Sequence, residues 1–397
     1  MTADLSASGE RDNDSERQWP PGLVARASSS LANHTGSSCV ERPTYVTLLP
    51  PCSTVCLALE DVRGWIAPMQ EGAGAWRRAW NVLAITNPLP ATMGHVCYAG
   101  CEQSCMRDDL DQGLAIRSLE LRLGMAAIQE HWELPAAGPA TGVKVLVIGS
   151  GPAGLAAAAL LRWYGHDVVL RESRAVTGGM LRYAIPPSRL PRDVLDAEVA
   201  RIVDAGVDLQ LRTTVMDPMK ELSSYDAVVH CAGAANVLAI VEGTVLWNQA
   251  THRGTLQRRR NVTLALGNGV QAADAVNAHF GGIARPGRGS GAIDLTAMNT
   301  SYYTDAPRAL PLATAGAMRP EPTGGPDPAA VTFEARRCLS CGACLGCDNC
   351  YDMCPADAVR KLDAPCSYEF DLDYCIGCGI CAVECPPGAI RMTPEPC

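Results

Sequence analysis

The stretch Val143-Lys-Val-Leu-Val-Ile-Gly-Ser-Gly-Pro-Ala-Gly154 decides the fold of the middle of this chain. A short apolar run ends in Gly149, Ser150, Gly151, Pro152, Ala153 and Gly154, and a leucine- and alanine-rich helical segment follows over residues 155–164. A second strand, Asp167-Val-Val-Leu-Arg171, ends at Glu172, 23 residues after Gly149. A lone GxGxxG is weak, but strand, glycines, helix, second strand and terminal acid stand here in order. Gly149 permits the tight turn, Gly151 lets the backbone approach a pyrophosphate, and Gly154 lets helix and strand pack closely. The helix N-terminus favours the negative charge. A carboxylate at Glu172 accepts hydrogen bonds from a ribose diol and repels a 2′-phosphate. The bland alternative is the same α/β Rossmann-like domain without a nucleotide. The full context favours an adenine dinucleotide.

Further along, two runs share one layout: Cys344-x2-Cys347-x2-Cys350-x3-Cys354-Pro355 and Cys375-x2-Cys378-x2-Cys381-x3-Cys385-Pro386. Three closely spaced thiolates reach three corners of a cubane, and the fourth, before proline, reaches the other cluster. Two [4Fe–4S] centres follow, one on Cys344, Cys347, Cys350 and Cys385, the other on Cys375, Cys378, Cys381 and Cys354. A zinc ribbon needs only paired CxxC and would not repeat the third cysteine and the Cys-Pro ending. The segment moves single electrons.

Composition bounds the rest. At 397 residues the chain has room for two or three cores. The net charge is −9, with no basic run beyond Arg258-Arg259-Arg260, which argues against nucleic acid. Nineteen cysteines would suggest disulfides only in an oxidising compartment. The first 38 residues lack the apolar core of a signal peptide, and no stretch approaches a membrane span. The expectation is a cytoplasmic protein whose thiols are kept reduced for metal.

Five regions separate. Residues 1–40 read as a disordered tail, too polar to offset the entropy of ordering. Residues 41–135 mix helical periodicity with cysteines; helices are expected over 76–84, stopped by Asn87-Pro-Leu-Pro90, and over 114–131. Residues 142–282 carry the α/β pattern, 283–335 form a Pro-, Gly- and Ala-rich linker, and 336–397 form the ferredoxin-like module.

Pro51-Cys52-x3-Cys56, the run Asn87-Pro-Leu-Pro-Ala-Thr-Met-Gly-His-Val-Cys97, Cys101 and Cys105 stand ahead of the Rossmann unit. Thr177-Gly-Gly-Met-Leu-Arg-Tyr-Ala-Ile-Pro186 and Tyr225-Asp-Ala-Val-Val-His-Cys-Ala-Gly233 follow its second strand. Arg336-Arg-Cys-Leu-Ser-Cys-Gly342 leads into the ferredoxin repeat. In this order of segments the chain resembles the glutamate-synthase small-subunit family of iron–sulfur flavoproteins, within the pyridine-nucleotide-disulfide-oxidoreductase superfamily. The nearest resemblance is to the ferredoxin-tailed members associated with dissimilatory sulfite reductase. It implies a FAD site on the glycine turn, Glu172, Gly179 and Arg182, and an N-terminal helical domain with [4Fe–4S] clusters.

Of the family's N-terminal ligand positions, Cys52, Cys56, Cys97, Cys101 and Cys105 match. They suffice for one cluster, on Cys56, Cys97 and Cys101 with Cys52, Cys105 or Glu120 as the fourth ligand. Buried structural cysteines are the alternative. Only Cys39 remains for a second cluster's missing upstream ligands, and Cys338 and Cys341 read as structural or as an alternative ligand pair. Family members insert a nicotinamide domain between the halves of the FAD domain. Here about thirty residues separate Ala232-Gly233 from Asn261-Val-Thr-Leu-Ala-Leu-Gly-Asn-Gly-Val-Gln-Ala-Ala-Asp274, which resembles the closing strand and helix, and no second GxGxxG exists. No acid–base or nucleophilic constellation is visible. The leading expectation is an oxidoreductase subunit passing electrons between FAD, the clusters and a partner redox protein or larger oxidoreductase. A carrier or docking subunit with a vestigial flavin domain is the second reading. An NAD(P)H-dependent enzyme using an unrecognised site is the third.

Overall fold

The computed structural model describes residues 40–232, 237–248, 261–286, 289, 291–310, 327–363 and 368–395. The polar tail to residue 39, with Cys39, Gly233, the arginines at 258–260, Cys366 and Cys397 lie outside them.

A strand, β1 (Glu41–Tyr45), leads into six helices: α1 (Pro51–Val55), α2 (Val62–Met69), α3 (Trp76–Thr86), α4 (Pro90–Val96), α5 (Gly100–Gln103) and α6 (Ile116–Gln129). The punctuation is local. Asp61 caps α2 by accepting from the Gly64 amide, and Pro90 starts α4 where a missing N–H costs nothing. Trp65, Trp76, Trp80, Leu83, Leu119 and Leu123 form the core of this layer.

The α/β domain comprises β2 (Lys144–Ile148), α7 (Pro152–Trp163), β3 (Asp167–Arg171), α8 (Met180–Tyr183), α9 (Arg192–Asp204), β4 (Asp208–Gln210), β5 (Ala227–His230), β6 (Leu238–Val241), β7 (Thr244–Asn248) and α10 (Val262–His279). The sheet order is β4-β3-β2-β5-β6-β7. The strands β4, β3, β2 and β5 are parallel; β6 and β7 form an antiparallel hairpin at the edge. Residues 261–274, expected as a strand and then a helix, are helical from Val262 onward, with Asn261 as the cap. Glycines explain how α10 fits: a Cβ at Gly269 would lie 2.0 Å from the Ala153 carbonyl, and one at Gly267 would lie 1.9 Å from the Leu57 carbonyl. Any side chain at either position would push α10 away from α7 or from the cysteine-bearing layer.

The C-terminal part has α11 (Pro328–Arg336), α12 (Asn349–Asp352), β8 (Val359–Lys361), β9 (Tyr368–Phe370), α13 (Ile380–Val383) and β10 (Ile390–Pro394). A helix thus stands where the linker was expected. β8 pairs with β9, and β10 pairs antiparallel with β1, from Glu41 opposite Pro394 to Tyr45 opposite Ile390. The ferredoxin module therefore borrows a strand from the region expected to open the helical domain. Tyr45 stacks on Phe370, with ring centroids 4.7 Å apart. Sequence periodicity could not reveal a partner almost 350 positions away. Among the described residues no helix is long and apolar enough to cross a membrane.

Candidate functional site

A cavity of about 740 Å3 opens over the glycine turn, in the size range of small-molecule sites. Gly149, Gly151, Pro152, Ala153, Glu172 and Gly179 line it. Gly149 has φ +97°, and a Cβ at Gly154 would lie 1.7 Å from the Gly149 carbonyl, so the turn closes only with glycine there. A Cβ at Gly151 would meet nothing within 4 Å, which leaves open space above the start of α7. Glu172 accepts from the Ser150 amide at 2.9 Å and the Ser150 hydroxyl at 2.6 Å, and from the Arg174 amide at 2.9 Å. Burial alone would raise its pKa; these donors hold the carboxyl below its ordinary value. Arg182, expected at the site, lies outside the cavity lining. Its Nε donates to the Thr177 carbonyl and its guanidinium pairs with Asp196. Arg174, over the Tyr183 ring at 4.0 Å, and Arg189 line the cavity instead.

The far wall of this cavity belongs to the helical layer. Val96 and Tyr98 line it, and so do Asn261, Val262, Ala265 and Asn268 of α10 with its cap. Between Val96 and Tyr98, the Cys97 sulfur accepts from the Thr263 hydroxyl and the Ala99 amide, both at 3.3 Å. Burial pushes the Cys97, Cys56 and Cys101 thiols up. After burial, Cys101 is raised mainly by Cys56 and Cys97, and further by Glu102 and Glu120. Thiols crowded in this way hold their protons tightly unless cations share the site. Asn87 donates to both Glu60 and Glu120 at 2.8 Å, and burial followed by Glu60 pushes Glu120 well up. The buried Arg117 donates to the Cys97 carbonyl, but its Nε and Nη2 find no partner among the described residues. An anionic cluster bonded to Cys97 would answer that buried charge, so these residues fit an iron–sulfur group.

Cys52 and Cys105 face elsewhere. After burial, the Cys52 thiol is raised by Cys338, Cys105 and Cys341. The five N-terminal cysteines therefore fall into two groups, a split that spacing alone left open.

In the ferredoxin module one cleft is lined by Cys344, Cys347, Cys350 and Cys385, with Tyr45 and Tyr368. The other is lined by Cys354, Cys375, Cys378 and Cys381, with Pro43 and Phe370. Each cleft thus gathers three cysteines of one run and the pre-proline cysteine of the other. The Ala358 and Ala389 amides donate to the sulfurs of Cys354 and Cys385 at 3.3 Å, and the Tyr45 hydroxyl lies 3.2 Å from Cys350 Sγ. Burial, then Cys375 and Cys378, push Cys381 up to about 12. All-thiolate donor sets with N–H and O–H donors to sulfur suit [4Fe–4S] clusters. Among the described residues no three His, Cys, Asp or Glu side chains converge on a single-ion site.

Three family models match the chain. Residues 26–132 match domain II of dihydropyrimidine dehydrogenase, a 4Fe-4S cluster domain; residues 147–200 match an NAD(P)-binding Rossmann-like domain; residues 368–391 match a 4Fe-4S binding domain. The glutamate synthase [NADPH] small chain of Bacillus subtilis is 34% identical over 167 residues, 41% of this chain and 34% of the relative. This chain is a homologue of the glutamate synthase small chain. The NAD-dependent dihydropyrimidine dehydrogenase subunit PreT of Salmonella typhimurium is 32% identical over 207 residues, 51% of this chain and 49% of that protein. The beta subunit of NADP(+)-dependent formate dehydrogenase from Moorella thermoacetica is 32% identical over 210 residues, 46% of this chain and 29% of the relative. The homologue described here therefore spans about half the length of these relatives or less. A solved 2-naphthoyl-CoA reductase overlaps 27% of this chain and 16% of its own at 27% identity and a TM-score of 0.23, too slight an overlap to speak for the fold.

Proposed function

We propose that this homologue is an electron-transferring iron–sulfur flavoprotein, a subunit that passes electrons between FAD, its clusters and a partner redox protein. One observation carries the reading: Cys97 lies between two residues that line the dinucleotide cavity, and Thr263 of α10 touches its sulfur while its neighbours Val262 and Ala265 line the same cavity. A nucleotide site and a thiol group so joined have no use for a simple carrier. Bound FAD would exchange a two-electron load for the single electrons that clusters carry. The chain supplies the rest. The turn at Gly149–Gly151 and the start of α7 receive the pyrophosphate, Glu172 receives the ribose, and Cys56, Cys97, Cys101 and Glu120 hold the nearest cluster beside Arg117. The two ferredoxin groups, Cys344, Cys347, Cys350 and Cys385 and Cys354, Cys375, Cys378 and Cys381, hold clusters at the outlet to the partner. The order of segments further favours the ferredoxin-tailed branch associated with sulfite reductase.

Among the described residues no second nucleotide-binding βαβ unit follows the first. The interval after β5 contributes, in its described part, only the hairpin of β6 and β7, which adds to the sheet edge and carries no βαβ unit. Electron input would then come through the clusters or from a partner that binds the nicotinamide. The decisive measurement is the flavin content of anaerobically purified, cluster-loaded protein. About one FAD per chain is expected, and its absence together with intact clusters would favour the carrier reading.

A further inference from the structure

Cys338 and Cys341 stand just ahead of the ferredoxin runs, and neither of the two ferredoxin clefts includes them. They pack instead against the helical layer. Arg337, next to Cys338, is fully buried and pairs with Glu334 at 2.8 Å and Asp111 at 3.0 Å. Arg107, two residues beyond Cys105, pairs with the same Asp111 at 2.7 Å and donates to the Arg337 carbonyl at 2.9 Å. This clamp holds Cys105 beside Cys338. A second clamp serves the other pair. Arg63 donates to the carbonyls of Leu48 and Cys341, both at 2.7 Å, and the Leu48 amide donates to the Gly342 carbonyl at 2.8 Å. Leu48 lies one short turn ahead of α1, which carries Cys52. Cys52, Cys105 and Cys338 pack against the Trp65 core, as do Cys56 and Cys101.

Helix ends separate the two groups. Cys52 lies inside α1 and Cys56 caps its end, whereas Cys101 lies inside α5 and Cys105 follows two residues beyond it, in extended backbone. Cys56 and Cys101 join Cys97, while Cys52 and Cys105 are left with half a ligand set, and the Cys338-Leu-Ser-Cys341 loop arrives there with the other half. We propose that Cys52, Cys105, Cys338 and Cys341 hold a further [4Fe–4S] cluster, ligated half by the helical layer and half by the segment entering the ferredoxin module. Packing agrees with that placement: Cys341 is buried in one cluster with Leu48 and Leu339, and Met106, the neighbour of Cys105, packs against it. The buried guanidinium groups of Arg63 and Arg107 offset the negative charge that four thiolates bring.

The position gives the site a use beyond the function proposed above, which needs only one cluster in the helical layer. Cys52 is one turn from Cys56. On the other side the Tyr303 hydroxyl donates to the Leu339 carbonyl at 2.7 Å, and the Gly342 amide, next to Cys341, donates at 2.6 Å to the Pro387 carbonyl, two residues beyond Cys385 of the first ferredoxin group. The new site thus lies between the thiols at the dinucleotide cavity and those of the ferredoxin module. As a relay it would take one electron from one neighbour and give one to the next.

The test uses the full chain, purified and reconstituted without oxygen. Native mass spectrometry of the parent should show four clusters, about sixteen irons with as many sulfides. The double variant Cys338→Ser, Cys341→Ser should lose one cluster, about four irons, while the spin-coupled signal of the ferredoxin pair persists. A parent holding only three clusters overturns the proposal, as does a variant that retains all the parent's iron or a parent with zinc at these thiols. If the double variant fails to fold, the cluster count of the parent decides.

Discussion

The Thr263 hydroxyl donates to the sulfur of Cys97 at 3.3 Å, joining the first turn of α10 to the cysteine layer at the wall of the dinucleotide cavity. A donor to a cluster sulfur stabilises the reduced, more negative state and so raises the potential. Thr263→Val keeps the shape and removes the donor. The nearest cluster should then titrate roughly 30–60 mV more negative, taking the bond as about 1 kcal/mol and 59 mV as tenfold for one electron. An anaerobic redox titration followed by EPR checks this, and an unchanged midpoint would break the link between Thr263 and the cluster.

Tyr45 offers the same experiment at the other end of the chain. Its hydroxyl lies 3.2 Å from Cys350 Sγ, and a ligating thiolate there can only accept. Tyr45→Phe should lower the potential of the first ferredoxin cluster by a similar amount and leave the second within error. Because β1 completes the sheet with β10, a fragment of residues 327–397 should also lose iron faster under chelator than the full chain. Equal rates would show that the borrowed strand adds nothing.

Gly151 faces open space where a pyrophosphate would lie. Gly151→Val should therefore fold with its clusters intact and lose at least about tenfold in flavin content, since a side chain there bars close backbone approach. Full flavin content in the variant would place the nucleotide elsewhere.

Mixing the anaerobic protein with NADH or NADPH in a stopped-flow instrument should bleach flavin far more slowly than the roughly 10 s⁻¹ of a typical enzyme. Rapid bleaching by either nucleotide would show that a nicotinamide site exists without the missing insert.

Glu198 of α9 accepts from the amides of Ala91 and Thr92 at 2.7 and 2.9 Å, tying the α/β domain to the start of α4. Burial raises its pKa from 4.5 to about 7, against those donors and Arg201. A carboxyl raised on folding contributes stability that is complete below its unfolded pKa and is lost as the pH climbs through its folded value. Stability should accordingly fall between about pH 4.5 and 7 by a few kcal/mol from this group. Glu198→Gln should flatten that part of the profile in anaerobic denaturation at stepped pH. A profile as steep as the parent's would assign the slope to other groups.

What the chain's own spelling determined is local. The glycine turn and the strands on either side of it follow from short-range sterics, and the strands stand within a residue of their expected bounds; α7 starts three residues ahead of the expected 155, at Pro152, and Pro90, expected only to stop a helix, also starts α4. The two Cys-x2-Cys-x2-Cys-x3-Cys-Pro runs are legible in the same local way, and the fold lines each cleft with three cysteines of one run and the pre-proline cysteine of the other. Residues 261–274 misled because small apolar residues and glycines suit a buried strand and a closely packed helix alike, and only the walls formed by Ala153 and Leu57 choose between them. Tertiary structure alone decided the rest. It paired β1 with β10 across the length of the chain, turned Arg182 from the cavity, and divided Cys52 and Cys105 from Cys56, Cys97 and Cys101. Those outcomes depend on contacts between residues far apart in sequence, through buried arginines such as Arg63, Arg107 and Arg337, whose partners no local pattern encodes.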